Sequence, residues 1–429
     1  MINKKLFKKI IHVAEWLRCD ELKVAGPIIL VIINSSIVVC GLLAAIISNW
    51  DVLEVRFLAI KDIVLVISLT MVGLEYAFSN KKIMSLIEII DGKFLYERLH
   101  GSMHSKSDEI KLGAKNINIE ICEVIEKAWH SIEDLDRIIM NSVRIVTLFL
   151  DLTPFFINIL IILNTGIEKI TIKDLKLPFF FLYPKGYDKI TVYLVMYAID
   201  SLFIYFIYVL AYCALATVTI GAQKTATDLE LFRMCLKCFT NDDGDSLWPN
   251  SNGNQMKRSK ICGIRIDKND NNQTSDEDIE YLAIVITYHQ MICRQVRVLE
   301  SNGGLVTTLA NFCIGLQTSV CLFLFQETNN VIMKTACAFM LFFNGLLLFF
   351  YCSSGQKIID ENELLRKQLA KVVWWNKPRK FQTSLLLIMT RANHDLYVKP
   401  YGIYVLNYNV FRNVLNASYS YLNMIRALK

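Results

Sequence analysis

The sequence predicts an all-α, polytopic membrane protein. It would have seven transmembrane helices, a cytosolic N-terminus, an extracellular C-terminus and a cytosolic helical anchor. Three observations lead there. Of 429 residues, 54% are AVILMFWYC types and only 20% are charged, and mean hydropathy is +0.37; soluble domains carry about 25% charge. No charged residue lies between Lys23 and Asp51, between Glu300 and Glu327, or between Lys334 and Lys357. Each run exceeds the roughly 20 residues a helix needs to cross the hydrocarbon layer. Finally, 34 of the 46 Lys and Arg residues fall on one side of seven crossings and nine on the other, the bias that marks cytosolic loops. This composition excludes a secreted disulfide scaffold, a disordered regulator and an ordinary cytosolic enzyme.

The elements follow in order. Residues 1–23 form a basic cytosolic segment, with no cleavable signal, because the first apolar run starts late and is too long for one. Residues 24–223 hold the first four spans. Val24–Trp50 is clean. Phe57–Ser79 is interrupted by Lys61, Asp62 and Glu75, with Lys61 expected to snorkel toward water. Ile145–Gly166 contains only Asp151, then Pro154, which must bend that helix and free a carbonyl. Ile190–Gln223 contains only Asp200, near Tyr193, Tyr197 and Tyr205. Residues 224–300 are a cytosolic linker with helix extensions, including an Asn/Asp/Gly/Ser-rich loop over 240–275. Residues 301–357 carry the fifth and sixth spans, Leu305–Gln326 and Thr335–Gln356. Residues 358–400 form the cytosolic anchor, and 401–429 the seventh helix, interrupted by Arg412 and Arg426.

Between spans, Ile117, Ile121, Val124, Ile125, Ala128 and Ile132 make an amphipathic stripe that continues the third span into the cytosol. Residues 227–238 and 278–300 extend the fourth and precede the fifth. Cytosolic helices with apolar stripes need partners, which argues for an oligomeric platform. The outside loop 167–189 is rich in Phe, Tyr and Pro and reads as an interfacial belt or as a lid.

Motifs for chemistry are few. The twelve cysteines avoid the outside loops, so they imply no disulfide framework. Cys235 and Cys238 resemble half a zinc site without its second half. There is no phosphate-binding loop, no Gly-x-Ser-x-Gly and no His-Glu-x-x-His. The expectation is no enzyme, no metal and no cofactor. The net charge of +6 points to anionic membrane lipid and not to nucleic acid. A G-protein-coupled receptor would place its N-terminus outside, and neither an Asp-Arg-Tyr nor an Asn-Pro-x-x-Tyr stands where that class has them. Asp151 and Asp200 read either as polar contacts in a ligand cavity or as hydrogen bonds between helices, with the second favoured.

The C-terminal residues are more specific. Ser384-Leu-Leu-Leu-Ile-Met-Thr-Arg391-Ala-Asn393 precedes Tyr408-Asn-Val-Phe411 and Val414-Leu-Asn-Ala-Ser-Tyr-Ser-Tyr421-Leu422. With Gly355-Gln-Lys-Ile358 and Trp374-Trp375 upstream, this stretch resembles the signature of insect odorant receptors. Two departures stand out: Ala370 where the family often has Tyr, and His394-Asp395 where it often has Pro. The chain resembles an odorant-recognising subunit more than the shared co-receptor.

The resemblance implies a ligand-gated, non-selective cation channel, tetrameric with odorant co-receptor subunits, in the plasma membrane of olfactory sensory neurons. Its ligand would be a small volatile odorant in the outer half of the second, third, fourth and sixth spans. Aromatic and methionine side chains at that depth are the expected lining: Phe155, Phe156 and Ile159; Tyr193, Met196, Tyr197 and Asp200; Met333, Phe339 and Phe342. The cytosolic helices would anchor the tetramer, with Trp374, Trp375, Leu385 and Leu386 at the interface. In the last helix Ala417, Tyr421, Met424 and Leu428 fall on one stripe. By resemblance this helix lines the pore, with Met424 and Leu428 as its apolar gate. A gustatory receptor of the same superfamily and a seven-span metabotropic receptor remain the alternatives.

Overall fold

The computed structural model describes residues 26–48, 50, 53–78, 80–97, 115–165, 175, 177, 190–236, 273–328, 331–375 and 377–427. Among them every regular element is a helix and none is a strand. The N-terminal segment 1–23, most of the 167–189 loop, residues 240–272 and Leu428 lie outside these residues.

The helices are α1 (Gly26–Ser48), α2 (Leu53–Phe78), α3 (Asn80–Asp91), α4 (Lys115–Thr165), α5 (Ile190–Leu236), α6 (Gln273–Asn302), α7 (Gly304–Glu327), α8 (Val331–Ala370), α9 (Arg379–Ala392) and α10 (Tyr408–Ala427). Five of them, α1, α4, α5, α7 and α8, contain a stretch long and apolar enough to cross a membrane. The charges of α2 and the amides of α10 keep those two below that threshold. Both nevertheless pack along α7, and α10, with 20 residues, is about 30 Å long, the thickness of the hydrocarbon layer.

Three helices are far longer than a bilayer is thick. α4 has 51 residues, α5 has 47 and α8 has 40. At about 1.5 Å per residue they overrun the hydrocarbon by roughly 30–45 Å, and at that end they pack with α3, α6 and α9. The largest apolar cluster sits there, built from α5 with Ile121, Ile125 and Ile132 of α4, Ile292 of α6, Leu365 and Leu369 of α8, and Leu385 and Ile388 of α9. A second cluster joins Val38 and Leu42, Ala59 and Val66, and Phe203, Ile204 and Ile207 across α1, α2 and α5. A third joins Phe323 and Leu324 of α7, Met340 of α8 and Leu422 of α10.

One expectation changes. Lys61 does not reach out to water: its ammonium pairs with its neighbour Asp62 at 3.0 Å, both side chains largely covered. A neutral pair costs far less to bury than a lone cation, and the long lysine stem can bend round the helix to form it. The tryptophan pair lies in the break between α8, which ends at Ala370, and α9, which starts at Arg379 after Pro378.

Candidate ligand pocket and pore helix

The outer halves of α4 and α5 are joined by hydroxyl, amide and carboxylate groups. Ser201 donates to the Asp151 carboxylate at 2.8 Å, and the Tyr197 hydroxyl donates to the Asp151 carbonyl at 2.6 Å. One turn further out, Asn158 donates to the Tyr193 hydroxyl at 2.6 Å. Pro154 explains part of this. It has no N–H for the Leu150 carbonyl four residues back, so the helical ladder is open one residue before Asp151, where the Tyr197 and Ser201 hydroxyls of α5 approach. Asp151 thus bonds between helices, the reading favoured from the sequence. Asp200 is completely buried beside this seam. Tyr193 and Tyr197 stand with ring centroids 6.0 Å apart, and Met196 packs against the α1–α2–α5 cluster.

On the other side of α4, Phe149 stacks on Phe339 of α8 at 4.2 Å, and Phe339 contacts Phe343 at 4.7 Å. Met333 packs against the α7–α8–α10 cluster. The expected lining residues therefore divide. Tyr193, Met196, Tyr197, Asp200, Met333 and Phe339 turn inward, whereas Phe155, Phe156, Ile159 and Phe342 lie on the exposed face of the chain. Asn158, Ser201 and Phe149 join the inward group. Their positions, one helical turn from Tyr193, Tyr197 and Phe339 across the interface, are invisible until the rotation of α4 is known.

The seventh helix is placed by small residues. Val410, Phe411, Val414, Ser418 and Leu422 form its covered seam. Ser418 is buried and donates to its own helix and, at 3.4 Å, toward the Gly315 carbonyl of α7. A Cβ on Gly315 would meet Val414 at 3.5 Å, ordinary van der Waals contact, so the two helices lie side by side here with room for a small side chain. Gly355 serves the turn before α10: a Cβ there would collide with the Leu406 backbone carbonyl. Around it, Gln356 accepts from the Tyr408 N–H at 3.5 Å, Phe349 stacks near Tyr408 and Phe411, and Tyr404 donates to the Thr307 carbonyl at 3.1 Å. This gives a physical reason for the Gly355-Gln356 and Ser418 positions of the C-terminal signature.

Opposite the seam, α10 has an exposed polar row: Asn409, Asn413, Asn416, Ser420 and Asn423. Their spacings of four and three put them within one arc. Ala417, Tyr421 and Met424 are also exposed, on the arc roughly 80–100° further round. The asparagine row was legible as a helical repeat in the sequence, but hydropathy hides it, since polar residues merely lower the score of the segment. At the anchor, Trp374, Trp375 and Leu386 are exposed while Leu385 is buried against the core.

A family model described as 7tm Odorant receptor matches residues 125–419. The chain is 25% identical over 154 residues to odorant receptor 85c of Drosophila melanogaster, covering 35% of this chain and 39% of that protein. It is 21% identical over 141 residues to odorant receptor Or2 of Anopheles gambiae, covering 33% and 37%. The matched segments thus span less than two fifths of these relatives. In three dimensions the chain is similar to the insect olfactory receptor OR5 from Machilis hrabei, solved in complex with eugenol. The TM-score is 0.69 at 11% identity, over 99% of this chain and 97% of that one, a likeness of fold. With more than half its length under the family model, this multi-pass chain belongs to the odorant receptor family of insects.

Proposed function

We propose that the chain is the odorant-binding, pore-forming subunit of a ligand-gated, non-selective cation channel, assembled as a tetramer with odorant co-receptor subunits. The observation that carries this reading is the free polar face of α10. Four asparagines on one arc of a membrane-crossing helix need hydrogen-bond partners that lipid tails cannot supply, whereas Ser420 between them already donates to the Asn416 carbonyl. A water-filled axis ringed by four copies supplies them. With the axis facing the middle of this exposed side, the asparagine row borders the lumen on one flank and Met424 and Leu428 on the other, about 40–50° either way. There the two apolar residues form a constriction near the outer mouth that shuts by dewetting and opens as the rings part. The exposed Trp374, Trp375 and Leu386 then meet neighbouring subunits in the cytosolic anchor.

The odorant would lie between the outer halves of α2, α4, α5 and α8, against Tyr193, Met196, Tyr197 and Phe339, with Asp200 and the Asp151–Ser201 pair as its polar neighbours. The OR5 receptor of Machilis hrabei was solved with the small aromatic eugenol, a ligand class that such a lining suits. A volatile of about ten to fifteen heavy atoms gains about 5–8 kcal/mol at ordinary ligand efficiencies, hence binding around the micromolar range. It opens the pore only by favouring the open arrangement over the closed one.

The test is current recording from this chain, with and without the co-receptor, against an odorant panel. Met424→Ala and Leu428→Ala are expected to raise resting current, and Asn416→Leu to lower conductance. Tyr197→Ala should change which odorants evoke a response. Odorant-evoked current that none of the α10 substitutions alters would sink the pore assignment. A response requiring G-protein activity would favour a metabotropic receptor instead.

A further inference from the structure

At the end of the molecule that the Lys/Arg bias assigns to the cytosol, α6 and α9 border two adjoining clefts of about 580 Å3 each. Cys293, Arg297 and Arg391 line both, so the two form one trough. The Cys293 thiol sits 3.9 Å from the His289 ring, and guanidiniums from two helices, Arg297 of α6 and Arg391 of α9, border the trough on either side of it. Arg294 lines the first cleft. Lys399 approaches from beyond α9, where it and Arg297 both act on Glu300.

The counter-charge is small. Arg294, Arg297 and Arg391 are exposed, and among the described residues none of them makes an ion pair. Asp395, at the rim, is already held by Arg366 at 2.6 Å. Glu300 faces Arg297 and Lys399, and burial pushes its carboxyl above the usual range. His289 forms a neutral wall, since burial and then Arg391 hold its imidazole down at about 4.

The location narrows the ligand. Arg297 stands seven residues before the start of α7, about 10 Å along the helix from the hydrocarbon boundary. A phosphorylated ring projects further toward that depth than a membrane phosphodiester, which lies within a headgroup layer of about 5–7 Å. Three separated guanidiniums match several phosphates on a compact frame better than one.

We propose that this trough binds a polyphosphorylated inositol, held by Arg294, Arg297 and Arg391, as a lipid headgroup of the cytosolic leaflet or as a free inositol polyphosphate. Its occupant bridges α6, which runs into α7, and α9, which leads to α10, and so braces the two helices that position the pore helix.

Binding can be read without any current, so this inference fails or stands separately from the channel assignment. The full chain, purified with its co-receptor in detergent, would be titrated with dioctanoyl phosphatidylinositol bisphosphate and, in parallel, with inositol trisphosphate. Both are expected to bind. Each single substitution, Arg294→Gln, Arg297→Gln or Arg391→Gln, should weaken binding about five-fold, and the triple about a hundred-fold, while Lys371→Gln on the exposed end of α8 changes nothing. Binding of the lipid alone assigns the site to the membrane, and equal binding of both assigns it to the headgroup from either source. The proposal is overturned if the triple variant binds as tightly as the parent, or if dioctanoyl phosphatidylserine competes equally well. It is also overturned if the triple variant dissociates the subunits while its phosphoinositide affinity is unchanged, which would make the trough a subunit contact.

Discussion

Helix α5 passes through two unlike environments. From Tyr212 to Leu229 every side chain is buried, so this stretch is the central rod of the cytosolic end, surrounded by α3, α4, α6 and α8. Over its first 22 residues, buried and exposed positions alternate, and its link to α4 is three hydrogen bonds around Asp151 and Tyr193. The inner half has the density of a soluble core. The outer half is held by a polar seam and partly exposed aromatic faces, the low-stability kind of packing from which ligand-binding regions are drawn. A receptor that must hold its assembly and yet respond to a weak ligand needs both.

The sharpest way to break this contrast is at Lys224. Its ammonium, 1% exposed, donates to the carbonyls of Ile90, at 3.1 Å, and Gly92, and lies over the rings of Phe94 and Trp129. The adjacent turn adds Asp228, which accepts from the Leu95 N–H at 2.9 Å. Lys224→Met removes two charge-assisted bonds and leaves buried carbonyls, a cost of about 3–5 kcal/mol. The full chain should then lose its melting transition by many degrees in detergent size-exclusion assays. A Tm within a degree of the parent would show that the inner half is not held there.

Next in size is a pH effect confined to the inner half. His289 of α6 packs on Phe232, and burial with nearby Arg391 lowers its imidazole to about 4 against an ordinary 6.5. The unfolded chain takes up a proton below pH 6.5 and the folded one only near pH 4. Stability is therefore complete above pH 6.5, falls as pH drops through that window, and levels off below it, a loss of up to about 3 kcal/mol. His289→Gln should flatten that slope. A slope that persists in the variant would move its origin elsewhere.

Gly355→Ala should act between the two halves. The added methyl meets the Leu406 carbonyl, which cannot rotate away, so the turn must shift at a cost of about 1–3 kcal/mol. Because that turn launches α10, we expect altered resting current together with the lower Tm. A stability loss with normal gating would uncouple the turn from the pore helix.

Much of this was legible in the residues and some was not. The charge-free runs specify α1, α7 and α8 because a charge at bilayer depth is costly and is carried only where it is paired or bonded, as in α2, α4 and α5. The stripe from Ile117 to Ile132 likewise announces that α4 continues past the membrane. The Lys61–Asp62 pair was missed because neighbouring positions on a helix do not face each other, and only a bent lysine stem joins them. In the outer half the difficulty is rotational. Phe155, Phe156 and Asn158 are equally plausible lining residues by type, and packing of α4 on α5 turns Asn158 inward and both phenylalanines outward. In lipid the apolar face can point either way at little cost, so hydropathy leaves that angle open. Asn413 and Asn416 show the converse: the residues least suited to lipid mark the face that needs a partner.

The smallest expected effect tests whether the outer seam is as weakly held as its geometry implies. Tyr197→Phe deletes one hydroxyl donor, and the Asp151 carbonyl it serves is left beside the gap made by Pro154. A neutral hydrogen bond of this kind contributes about 0.5–1.5 kcal/mol, so Tm should fall only slightly, far less than with Lys224→Met. If α4 and α5 part or slide when ligand enters, the lost bond should change odorant sensitivity several-fold, a larger proportional effect on response than on stability. Dose–response curves for the parent and Tyr197→Phe with the same odorants decide it. Identical curves with a lower Tm would make the seam a passive strut, and the distinction between the two ends of α5 would then be one of packing density alone.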